Sequence, residues 1–175
     1  MEAVVTKMPL SQIKQTANKN LRSKYVFAKD TTAIGIVAIQ DVTQRDFVLA
    51  GMSAIGMAAI VLGKGSDTES INNIVFVDTI HQNDLLGFDF FVFDNEHESV
   101  DVVAYMKAGI VPIMPEKNVF SGMLRDFNPM KFEGNGFFFK SENPYRIFEK
   151  IVAYTENVKF PEDRRVLLKN VVGAF

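Results

Sequence analysis

The sequence predicts an α/β fold: a mainly parallel, doubly wound sheet, with two helices closing the chain. Three observations carry that expectation. Short, nearly uncharged runs rich in β-branched and aromatic residues (TTAIGIVAI, AAIVLG, NIVFVD, FDFFVFD and IVPI) recur along the chain. Apolar runs without alternation are what strands buried on both faces require. Segments of helical period or polar loops separate most of these runs, which is the alternation of a sheet built by crossovers. Finally, Asn143-Pro144 and Pro161 each announce a helix near the end.

Taken in order, a helix over residues 11–25 places Ile13, Ala17 and Leu21 on one face, with Ser11 as its cap. TTAIGIVAI is the first core strand, and a helix follows over residues 45–55. The uncharged stretch 47–63, FVLAGMSAIGMAAIVLG, is 17 residues long and sits at the lower limit for a membrane span. Gly56 divides it into a small-residue helix and a β-branched strand, the reading that fits the alternation. AAIVLG and NIVFVD are the next strands, followed by a short helix near Asp84. Residues 88–113 then read strand (FDFFVFD), polar loop (NEHES), short helix (VDVVAYMKAG) and strand (IVPI). NVFSGMLRDFNP leads to EGNGFFFK, a glycine-marked turn into a last aromatic strand. Asn143 caps a helix on which Ile147, Ile151, Tyr154 and Val158 share a face. Pro161 opens the last helix, with Glu162 and Asp163 in its first turn, Lys169 toward its end and Gly173 closing it. The whole reads as a single Rossmann-like domain over residues 1–175.

Composition narrows the function classes. A chain of 175 residues with 47% hydrophobic content suffices for one buried core and is short for two ordinary domains. With 19 basic against 21 acidic residues, the net charge of -2 gives no footprint for nucleic acid or an anionic membrane. The absence of Cys and the presence of only two His, His81 and His97, leave no disulfide framework, thiol nucleophile or zinc cluster, so neither metal nor cofactor is expected. The start, MEAVVTKMPLSQIKQ, lacks the basic and apolar segments of a secretory signal, and a cytoplasmic location is the expectation.

The segment 88–113 also resembles one family, the retaining glycosyltransferases of the GT-B fold, particularly starch and glycogen synthases. That family carries a strand ending "DFFLMPS", a glutamate, seven residues, and a second glutamate in "EAM..G..P". Met106, Gly109 and Pro112 match the second half, Glu96 stands at the first glutamate, and Ala104 replaces the second. Further landmarks follow in the family's order. NKNLRSKYVF resembles an "NK..L" helix, IVLGKG a strand ending in "G.G", SGMLRDF a loosened "GGL.D" loop and EGNGFFF a "GTGF.F" turn. Asn170 stands near the end of the closing helices. The resemblance implies the C-terminal, nucleotide-sugar-binding half of such an enzyme, from about residue 18 onward.

Its chemistry departs from the family pattern. In "RL..QKG.D", after the first strand, an arginine and a lysine five residues later hold the donor diphosphate. Here IQDVTQRDF puts Ile39 at the arginine and Gln44 at the lysine, with Arg45 in the lysine's place if the loop is one residue longer. Each charge-assisted hydrogen bond is worth ~1.5 to 3 kcal/mol, so two such losses amount to ~3 to 6 kcal/mol, enough to silence an enzyme. Ala104 offers neither acceptor nor charge for a ribose. The resemblance leaves Glu96, Glu98, Arg45, Ser121 and Gly122 as candidate ligand-binding residues, with no catalytic residue assigned. Lys117, Lys131 and Glu133 are further loop residues that can touch a ligand, and the three carboxylates of DNEHES equally suit a solvated helix cap.

Three classes of function follow. The first is a non-catalytic GT-B-like binding or scaffold domain, with nucleotide sugar or glucan as ligand. The second is the donor-binding subunit of a split glycosyltransferase, completed by a separate N-terminal domain. In both, a homodimer or another partner covers the former interdomain cleft, for which 16 Phe and 8 Met supply apolar surface. Third is a receiver-like signalling domain, in which Asp41, Asp94 and Lys117 follow strands as a phosphoacceptor site would.

Overall fold

The computed structural model describes residues 8–63, 72–94, 101–120, 122–141 and 143–175. Six strands form one sheet: β1 (Ile34–Ala38), β2 (Ala58–Leu62), β3 (Ile74–Val77), β4 (Phe90–Phe93), β5 (Val111–Pro115) and β6 (Phe137–Phe139). Every pairing is parallel, in the order β3-β2-β1-β4-β5-β6. This is the dinucleotide-fold order, whose direction of winding reverses between β1 and β4. Receiver domains have the flavodoxin-like order 2-1-3-4-5, so the sheet excludes the receiver reading. Asp41, one of that reading's acids, instead caps a helix by accepting from the Gln44 backbone N–H at 2.8 Å.

Why these runs became strands is visible in their burial. Every residue of β1, β2, β4 and β5 is buried, whereas the edge strand β3 is half-buried throughout. Neighbouring residues of a strand face opposite sides. The Phe90 ring packs 5.0 Å from Tyr154 of α4 (Pro144–Val158), and the Phe91 ring meets Tyr105 of α3 (Val102–Lys107) at 5.4 Å. Helices therefore cover both faces, as the doubly wound expectation requires. The uncharged stretch 47–63 resolves into the end of α2 (Val42–Ala54), a turn at Gly56 and β2. No helix among the described residues is long and apolar enough to cross a membrane.

The closing helices follow their signals. Asn143 caps α4 by accepting from Tyr145 N–H at 2.9 Å, and Ile147, Ile151 and Tyr154 are its buried face. α5 (Pro161–Val172) starts at its proline and ends at Gly173. Asn170 on α5 donates to the carbonyls of Gly134 and Phe132, at 2.9 and 3.2 Å, and so ties the helix to the glycine-marked turn. Gly134 has φ +90°, and a Cβ there would collide with the Asp126 carbonyl oxygen, so only glycine fits.

The first helix departs from its prediction. α1 (Leu10–Tyr25) begins after Pro9 without a side-chain cap, so Ser11 lies inside it. Ile13 is exposed, and the buried positions are Lys14 and Leu21. Lys14 is inside because three backbone carbonyls lie at the amino ends of β4 and β5. Its ammonium donates to Phe88 O at 2.6 Å, Ala108 O at 3.3 Å and Leu86 O at 3.4 Å, which uses all three of its donors. Apolar periodicity cannot see such a position.

Burial pushes Lys14 down from the ordinary lysine value to about 8, against the opposing pull of the Asp89 carboxylate. Between pH 8 and 10.5 the unfolded chain thus binds more protons at this residue than the folded one, and the folded state gains stability as pH rises. We predict that the stability difference between wild type and Lys14→Met shifts in favour of wild type across that window, by up to ~3 kcal/mol. Urea denaturation at a series of pH values checks this, and a pH-independent difference refutes it.

Candidate functional site

In open α/β sheets ligands bind beyond the carboxyl ends of the strands, where the winding reverses. Here that place lies between the ends of β1 and β4. Ile39 and Gln40 leave β1, and Asp94 leaves β4. The two exits are stitched together: Asp94 Oδ2 accepts from Gln40 N–H at 2.6 Å, and Asp94 N–H donates to Ala38 O at 3.2 Å. Asp94 is buried, and its Oδ1 has no hydrogen-bond partner. A buried carboxylate oxygen left unpaired is costly, so it marks either stored strain or a place for a donor.

Arg45, in the first turns of α2, is the second buried polar group at this end. Its guanidinium lies 5.3 Å from the centroid of the Phe76 ring on β3, and Nε is 3.5 Å from Asp46 Oδ1 without a hydrogen bond. No ion pair joins Arg45 to Asp94.

Ile39 is buried and belongs to the apolar core, so its side chain presents no polar group to a ligand. Gln44 is half-buried, its backbone engaged by the Asp41 cap. Ala104 packs partly buried against the core, and its N–H donates to Asp101 Oδ1 at 2.9 Å. The α3 cap is therefore Asp101, a residue beyond the acidic DNEHES run. Glu96, Glu98 and Ser121 lie outside the described residues. Gly122 and Lys117 are exposed in the segment after β5. Lys131 and Glu133 are exposed in the turn leading into β6, which Asn170 ties to α5, and are not brought beside Asp94 by any described contact. No cluster of three metal-ligating side chains exists among the described residues.

The matched landmark residues have structural roles. Met106 is fully buried, Gly109 ends α3 with φ +72°, and Pro112 lies in the buried strand β5. Asp126, from the loosened "GGL.D" loop, accepts from Phe138 N–H at 2.7 Å and from Lys150 at 3.0 Å.

Strand order and flanking helices define a Rossmann-like α/β unit, and its fold is similar to that of one domain of GT-B glycosyltransferases. Three solved structures are similar to it in fold. The catalytic domain of starch synthase IV from Arabidopsis thaliana, bound to ADP and acarbose, superposes with a TM-score of 0.76 over 95% of this chain, at 12% identity. A glycosyltransferase of kitacinnamycin matches 84% of the chain with a TM-score of 0.54 and 10% identity, and a wall teichoic acid polymerase matches 91% with 0.50 and 10%. The chain spans about 40% of the length of each of these structures. No family model matches it, and no curated protein matches its sequence.

Sequence reasoning missed Asp94 as the stitch between β1 and β4, although its place after an apolar run was a usable signal. Replacing Asp94 by Ala removes the acceptor of Gln40 N–H and is expected to cost ~1.5 to 3 kcal/mol. Asp94→Asn keeps an acceptor and should cost about half as much or less. Chemical denaturation of both variants measures the difference, and equal losses would assign the effect to the charge rather than the hydrogen bond.

Proposed function

We propose that this chain is a GT-B-like domain that binds rather than transfers, with weak affinity for a nucleotide sugar or glucan as its remaining ligand function. The observation that carries this reading is Ile39. At the position where the resemblance calls for a diphosphate-holding arginine, an aliphatic side chain is sealed into the core. Gln44 and Ala104 point the same way, one lacking a charge and the other lacking any side-chain acceptor. Sites are grafted on folds, and a fold can outlast its site.

A second reading, the donor-binding part of a split glycosyltransferase completed by a separate N-terminal domain, draws on a different observation. Arg45 Nε and Asp94 Oδ1 are buried without hydrogen-bond partners at the end of the sheet where donors bind in this fold class. Calorimetry with ADP-glucose and UDP-glucose separates the two. Wild type is expected to give millimolar or weaker affinity, and Ile39→Arg with Ala104→Glu to raise it by at least tenfold. Micromolar binding by wild type would overturn the first reading and favour the second.

We further propose a homodimer that covers apolar surface, since Val119, Met123, Met130 and Phe132 are exposed on the 116–136 segment. Light scattering at micromolar concentration is expected to give twice the 19.6 kDa chain mass. A monomer would count against it.

A further inference from the structure

A cavity of the described chain lies at the amino ends of the strands, opposite the end where the winding reversal opens. It is a groove of about 960 Å³ between α1 and α5, reaching Thr32 before β1 and Asp89 before β4. We propose that this groove binds a small organic anion carrying two or more phosphate groups.

Charge is the first argument. Six cations line the groove (Lys14, Arg22, Lys159, Arg164, Arg165 and Lys169) against a single acid, Asp89. The whole chain, by contrast, carries slightly more acid than base. Asp89 is already committed: its Oδ2 accepts from Ile34 N–H at 2.9 Å and Asn18 Nδ2 at 3.1 Å, and its Oδ1 lies a long 3.9 Å from Arg164. Lys14 and Arg22 donate only to neutral acceptors, Lys14 to three carbonyls and Arg22 to Asn18 Oδ1 and Thr31 O. Lys169 makes no side-chain hydrogen bond or ion pair among the described residues. Arg22, Lys169 and the loosely paired Arg164 therefore bring positive charge to a partly enclosed space that holds one acid, Asp89, where attraction is screened less than on open surface.

The second argument is independent of side-chain charge. The groove includes the first turn of α1, a 16-residue helix with neither a side-chain cap nor an acid at its amino end. Its orphan N–H groups and dipole add positive potential at the same place.

Shape and rim decide the class of ligand. The volume suits a small molecule, since such sites run to about 300–1,000 Å³. Leu168, Val172 and Pro161 give the groove apolar wall for an organic body. Beside it, Glu156 and Glu162 pair with Lys159 and Arg165, and both carboxylates are exposed. These pairs leave the flank neutral and confine the net positive charge to the groove, which suits a compact phosphate ester rather than a long polyanion or an anionic membrane lying across it.

The test uses ¹⁵N-labelled full chain titrated with inorganic pyrophosphate and with ADP at low ionic strength. Saturable shifts are expected at Ser11, Gln15, Lys169 and Gly173, with affinity falling as salt is added. Lys169→Glu, which breaks no described contact, should weaken binding roughly tenfold while lowering the thermal midpoint by only about 1 to 4 °C through the helix dipole. Lys19→Glu makes the same change in net charge on an exposed α1 residue outside the groove and should leave binding intact. Equal weakening by the two variants, absence of saturation by either probe at millimolar concentration, or shifts confined to Ile39, Gln40, Asp41 and Asp94 would overturn the proposal. The last pattern reports on the opposite end of the sheet, so this inference and the nucleotide-sugar reading fail separately.

Discussion

A parallel sheet whose inner strands are buried on both faces is the constraint on which the rest of this molecule depends. β1, β2, β4 and β5 offer no polar side chain to solvent along their length, so helices must cover both sides, as Tyr154 over Phe90 and Tyr105 over Phe91 show. Polar chemistry is thereby pushed to the two ends of the strands. At the carboxyl ends stand Asp94 and Arg45, each with an unpartnered polar atom. At the amino ends stand Lys14 and Asp89, whose hydrogen bonds hold α1 to the start of the sheet.

The fold was legible because its strands satisfy one simple rule. Runs such as AAIVLG and FDFFVFD have no alternation to place them half in water, and the turn residues between them, Gly56 with φ +74° among them, are where a backbone reversal needs glycine. Asn143-Pro144 and Pro161 fixed the last two helix starts to the residue, since a cap and a preset φ are local chemistry. Where the local rule had a tertiary competitor, the reading failed. Ile13 looked like core and is exposed, because the carbonyls of Leu86, Phe88 and Ala108 place a cation on the inward face one residue along. Those acceptors come from segments more than 70 residues away, and no window around α1 contains them.

The site was legible only in part, for a related reason. Resemblance named Ile39 and Ala104 as places where expected groups are missing, and the structure gives both a packing role in or against the core. It could not name Asp94, whose contribution is a hydrogen bond to a backbone N–H that any residue at position 40 other than proline would supply. Nor could it name the cationic groove. Lys14 and Arg22 come from the first helix, and Lys159, Arg164, Arg165 and Lys169 come from the last 17 residues. Each of those segments alone reads as the solvated face of an amphipathic helix. Only the groove between α1 and α5 at the amino ends of the strands makes them one surface.

The same separation of ends lets the landmarks of the fold persist independently of the groups carried at the carboxyl ends of the strands. Met106, Gly109, Pro112, Gly134 and Asp126, which carry much of the resemblance, act through burial, left-handed backbone or hydrogen bonds to backbone. Changing any of them disturbs packing, so stability alone retains them. Ile39 and Ala104, by contrast, stand where the resemblance calls for charged groups. An aliphatic or small side chain there removes a buried or half-buried charge and its desolvation cost, which favours the folded state even as it weakens a ligand. Selection for folding therefore preserves the first set and is indifferent or adverse to the second. On the proposed reading, that selection accounts for Ile39 in the core and Ala104 against the core beside its Asp101 cap.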